Sequence, residues 1–91
     1  MLGHYKDAIE DCKSAIVNDP EEFAAWYNLG NVDVKVQDYD GGLYAYERAS
    51  TLAPGIVGYR LKQELVLFQL VRDRAFIMAL ESIRQFDTMS S

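Results

Sequence analysis

One spacing constrains this chain more than its composition does. Trp26, Leu29 and Gly30 are followed by Tyr46, Ala49 and Pro54, and three residue types recur at a fixed offset: Tyr5 and Tyr39, Ala15 and Ala49, Pro20 and Pro54. Each pair is 34 positions apart, since 39 − 5 = 49 − 15 = 54 − 20 = 34. A repeat of that length reads as a helical hairpin, and a hairpin cannot cover its own apolar faces. Stability must come from stacking neighbouring units.

Hydrophobic periodicity agrees with an all-α chain. Ala8, Ile9, Cys12, Ala15 and Ile16 recur at helical spacing and predict an amphipathic helix over residues 6 to 18. Asp19-Pro20 ends it, because proline disfavours helical dihedrals in the residue before it. Pro20 suits a first helical turn, and Glu21 and Glu22 would face the positive end of the helix dipole, so a second helix is expected from about Pro20 to Val36. Gln37, Asp38, Tyr39 and Asp40 form a polar turn, and a third helix follows from about Tyr39 to Ala53. Gly41 and Gly42 lie near its start and each costs about 1 kcal/mol against alanine, so this helix is expected to fray or start late.

Past Gly55 the apolar pattern is strong but the punctuation disappears. Leu61, Leu65, Phe68 and Val71 mark one stripe, and Phe76, Ala79, Leu80, Ile83 and Phe86 mark another, with Arg72-Asp73-Arg74 between them. By analogy with the repeat length, residues 57–86 are read as a third, degenerate hairpin turning at Arg72–Arg74, which gives about five helices in all. The alternative is one continuous helix. A terminal unit usually has a polar outer face, whereas this one is rich in Phe and Leu and implies an exposed patch. That patch is expected to meet a further repeat, an oligomer partner or a membrane surface.

The marker residues resemble the tetratricopeptide repeat family, whose pattern W-x2-L-G-x2-Y, A-x3-F, P is met at Trp26, Leu29, Gly30 and Pro54, with Tyr46 in the Phe place. Asp33 stands where the family has Tyr, and Gly42 where it has a small Ala. The resemblance implies a single domain that is a fragment of an α-solenoid of antiparallel helix-turn-helix units. Residues 1–20 correspond to the second helix of a partial repeat, 21–56 to a complete repeat, 57–86 to the degenerate repeat or capping helices and 87–91 to a tail. In that family the first helix of each hairpin lines a concave groove, and the matching positions are Ala24, Tyr27, Asn28, Asn31, Val34 and Lys35. A carboxylate clamp, by which some members hold a peptide C-terminus, is matched at two of five places, Asn28 and Lys62, so a co-chaperone of that kind is one alternative. The stretch Tyr44–Ala49 and Leu52–Gln63 is also similar to plant plastid tetratricopeptide proteins that help assemble membrane complexes. That likeness implies a plastid location and a role in complex assembly.

Charge and composition narrow the partners. Residues 1 to 45 carry nine acids and three lysines, giving −6; residues 46 to 91 carry five acids and six bases, giving +1. Without a basic stripe, nucleic acid is not an expected partner. A basic peptide would be steered toward the first half. No apolar run reaches the roughly 18 residues that cross a bilayer, and Met1–Asp7 is too polar for a signal or transit peptide, so an intracellular soluble protein is expected. A chain of 91 residues buries only about 60 to 65% of its unfolded surface. The helix over 6–18 lacks a preceding partner, so its face around Ile9 and Ile16 is expected to pair with another copy.

Little in the sequence points to chemistry. There is no Gly-rich phosphate loop, His-Glu-x-x-His, Cys-x-x-Cys or serine elbow. His4 stands alone, and the single Cys12 falls on an apolar helical face where packing outweighs reactivity. The close pair Asp38 and Asp40 sits in a turn, where capping outweighs acid–base work. The expectation is therefore no enzyme, no metal and no cofactor. What remains is a scaffold that binds a protein or peptide in a groove, against a truncated, self-associating fragment with no ligand of its own.

Overall fold

The computed structural model describes residues 2–90, with side chains from 3 to 88. They form α1 (Leu2–Asn18), α2 (Phe23–Lys35), α3 (Tyr39–Leu52) and α4 (Val57–Ser90), with no strand among the described residues. Successive helices pack on one another, α1 on α2, α2 on α3 and α3 on α4. The chain is all-helical, as its periodicity predicts.

The helix boundaries follow from local chemistry. Asp19 holds the first turn: its carboxylate accepts from the Glu21 amide at 3.1 Å and its carbonyl from the Glu22 amide at 3.1 Å. Those bonds keep Pro20 and Glu21 in a turn, so α2 begins at Phe23 rather than Pro20. The hairpin between α2 and α3 closes through Gln37, whose φ of 67° places it in the left-handed region. Asp38 then caps α3, its side chain accepting from the Gly41 amide at 3.0 Å.

The two glycines do not delay α3, which starts at Tyr39. Gly42 is buried, and a Cβ there would lie 2.8 Å from Cγ2 of Val34 and 3.3 Å from the Gly30 carbonyl oxygen. The intrinsic cost of glycine is therefore offset by a close approach of α3 to α2 that a side chain would block.

The expected five helices are four among the described residues, because there is no hairpin at Arg72–Arg74. Residues 57–90 form one helix of 34 residues, about 51 Å long. No glycine or proline occurs between Tyr59 and Ser90, and Leu, Gln, Arg, Glu, Met and Ala dominate the stretch, so nothing interrupts a helix once started. The expected tail is absent too: residues 87–90 belong to α4, and Ser91 lies outside the described residues.

The core lies between α2, α3 and the first half of α4. It consists of Ala25, Leu29, Ala45, Tyr46, Ala49, Tyr59 and Val66, with Asp33 as a buried charged residue. Gln69 donates to the Tyr39 hydroxyl at 3.3 Å and ties α4 to the start of α3. Ile9 and Ile16 of α1 are half-buried by the chain itself, so the face expected to be open is partly closed. The larger exposed apolar surface is on α4.

Candidate functional site

Tyr27 sits at the centre of an aromatic column joining three helices. Its ring stacks on Tyr59 of α4 at 4.5 Å between centroids and 29° between planes, and it meets Tyr46 of α3 at 5.7 Å. Phe23 extends the column, 6.1 Å from Tyr59. Such pairs add about 0.5–1.5 kcal/mol beyond area burial. Helical spacing puts Phe23, Tyr27 and Asn31 on one side of α2, and Asn31 accepts a hydrogen bond from the Tyr46 hydroxyl at 2.6 Å. Burial first, then Tyr27 and Asp33, pushes the Tyr46 phenol up to about 12. It is a neutral donor at physiological pH.

The other expected groove residues divide into two sets. Asn28 and Lys35 are exposed on α2, Ala24 is half-buried beside them, and Lys62 is exposed on α4, one turn after Tyr59. The Lys35 ammonium lies 5.9 Å from the Tyr5 ring centroid, over an aromatic face of α1. Val34 is a packing residue, half-buried against Gly42. Tyr27 and Asn31 are engaged through Tyr46. The groups left open to a ligand are the amide of Asn28 and the ammonium of Lys62.

Sequence reasoning did not find Tyr59. It carries no repeat signal, and only the packing of α4 brings its ring onto Tyr27. Trp26, read only as a marker, faces away from the column. Its indole nitrogen donates to the Pro20 carbonyl at 2.9 Å, its ring meets Tyr44 edge-on at 5.8 Å, and the Arg48 guanidinium lies 5.6 Å from its centroid.

Trp26 also lines an open cleft of about 460 Å³ between α1, α2 and the start of α3, together with Ile16, Leu29, Asp33 and Tyr44. Burial first, then the charge of Asp38, raises the Asp33 carboxyl above its ordinary value, while Lys13 acts the other way. Burial, Asp11 and Asp33 likewise push up the Cys12 thiol and keep it protonated. An acid whose pKa is raised on folding contributes its stability fully below the unfolded value. That contribution is lost as pH rises through the folded value. We therefore expect Asp33→Asn to be more stable than the parent chain at pH 7, with the difference shrinking at pH 3. Urea unfolding at both pH values checks this, and an equal difference at both removes the buried carboxylate as the cause.

Among the described residues no group of three or more His, Cys, Asp or Glu side chains could hold a metal ion, and no helix is long and apolar enough to cross a membrane. No family model matches the chain.

Proposed function

We propose that this chain is a protein–protein interaction scaffold that binds an extended segment of a partner along α2 and the adjoining turn of α4. The observation that carries this reading is the stacking of Tyr27 on Tyr59, which joins α2 to the first turn of α4. Exposed Asn28 lies next to that contact in sequence on α2, and exposed Lys62 lies one turn beyond it on α4. An amide supplies both a donor and acceptors for a peptide backbone, and an ammonium supplies three donors for a carbonyl or carboxylate. The tetratricopeptide-like repeat around Trp26 supports the same reading, because first helices of adjacent repeats line the groove in that family. Assembly of a multiprotein complex is the role such a scaffold serves.

The test uses two fluorescent peptides, one basic and extended, the other acidic with a free C-terminal carboxylate. At least one is expected to bind, with a Kd about tenfold weaker after Asn28→Ala or Lys62→Ala, a loss of about 1.4 kcal/mol. Both side chains are exposed, so the fold is not at stake. Selective loss of the acidic peptide with Lys62→Ala would identify a carboxylate clamp. No binding by either peptide, or binding that neither substitution changes, overturns the groove.

A further inference from the structure

From Leu61 to Phe86, α4 carries an apolar stripe on the side turned away from the core. At about 100° per residue, Leu61, Leu65, Phe68, Arg72, Phe76, Ala79, Ile83 and Phe86 fall within about 40° of one line along the helix. Tyr59 and Val66, which are buried, lie about 120–140° around the helix from that line. The large members of the stripe are open to solvent: Leu61 53%, Leu65 63%, Phe68 67%, Phe76 64%, Ile83 59% and Phe86 70% exposed. Its single charge is Arg72, near the middle.

The order of residues along the stripe reads nearly the same when reversed about a point between Asp73 and Arg74. Two copies laid antiparallel with that point on their two-fold axis place Leu61 opposite Phe86 of the second copy, Leu65 opposite Ile83, Phe68 opposite Ala79 and Arg72 opposite Phe76. In each pair the two numbers add to 147 or 148, so one register satisfies all four. Large residues meet apolar residues along the whole stripe.

We infer that this face of α4 is the interface of an antiparallel homodimer. An isologous contact requires a surface complementary to itself under a two-fold axis, and the stripe has that property. Six exposed side chains, each offering on the order of 100–150 Å², give at most about 800 Å² per protomer, which reaches the size of a standard specific interface. The second copy would approach α4 on a face about 120–140° away from the one that packs on the core. The arrangement also explains a continuous helix of 34 residues, since the second half of each α4 packs on the outer face of the first half of the other. The inference does not depend on the peptide groove, because it rests on the stripe Leu61–Phe86 and not on α2.

Sedimentation equilibrium of the 91-residue chain tests it. The chain is expected to be a dimer at micromolar concentration, and Phe68→Asp and Ile83→Asp are each expected to weaken the dimer at least 100-fold while circular dichroism stays helical. Ile77→Asp is the control: Ile77 is 53% exposed on the far side of α4, so this variant should dimerise like the parent. Arg72→Leu, which removes the one charge in the stripe, should tighten the dimer, a result that general destabilisation cannot produce. In a Cys12→Ser background, Phe68→Cys mixed with Ala79→Cys should cross-link on oxidation, whereas Phe68→Cys alone should not. A monomer at roughly 100 μM, a dimer insensitive to both Asp variants, or cross-linking of Phe68→Cys to itself each overturns the inference.

Discussion

Gly30→Val is expected to abolish cooperative folding of the chain at 25 °C, or to lower its unfolding free energy by more than about 3 kcal/mol, as read by urea denaturation followed by far-UV circular dichroism. A Cβ at position 30 would lie 2.6 Å from both Cδ1 and Cε1 of Tyr46. The ring has nowhere to retreat: Tyr46 is 2% exposed, Tyr27 packs on it, and its hydroxyl is tied to Asn31. Alanine alone forces α2 and α3 apart at an overpacking cost of about 1–3 kcal/mol, and the two further carbons of valine raise it. At roughly 0.05–0.15 kcal/mol per residue, a chain of 91 residues has about 5–14 kcal/mol in all, so a loss of this size removes a large part of it. Because the clash is with one ring, the double variant Gly30→Val/Tyr46→Ala should be less destabilised than the sum of its parts. Strict additivity would show that the valine acts elsewhere.

The same position shows how far sequence reasoning reached. Gly30 was legible as a repeat marker, but its reason, the face of Tyr46, belongs to tertiary packing. The first three helices were legible because apolar residues recur at helical spacing and Pro20 and the turn at Gln37–Asp40 punctuate them. Side chains set their boundaries: Asp19 delays α2 to Phe23, and Asp38 caps α3 so that it starts at Tyr39. The hairpin over 57–86 rested on the period alone. Arg72-Asp73-Arg74 contains no residue that breaks a helix, and a local turn needs one. Of the positions matched to the groove, Asn28, Lys35 and Lys62 are exposed, whereas Val34 is half-buried against Gly42. Family spacing places a residue on a helix, but which neighbour it meets is decided by Gly42.

Tyr46→Ala should cost about 3–5 kcal/mol, a large fraction of the stability of a domain this size. The ring fills the space between Gly30 and Tyr27, and its loss leaves a cavity that two helices facing each other through glycines cannot easily collapse. It also leaves the Asn31 side-chain oxygen, part-buried, without its phenol donor. Tyr46→Phe separates these contributions by keeping the ring and removing only the hydroxyl, at about 1 kcal/mol. The same pair of variants gives a pH signature. Folding raises the Tyr46 pKa from 10.0 to about 12, so the parent chain keeps this contribution below pH 10 and loses it as pH rises toward 12. The advantage of the parent over Tyr46→Phe should therefore narrow between pH 8 and pH 11 in urea titrations. If that difference stays constant across the range, the phenol is not the buried neutral donor to Asn31, and the cost of Tyr46→Ala reduces to the lost ring alone.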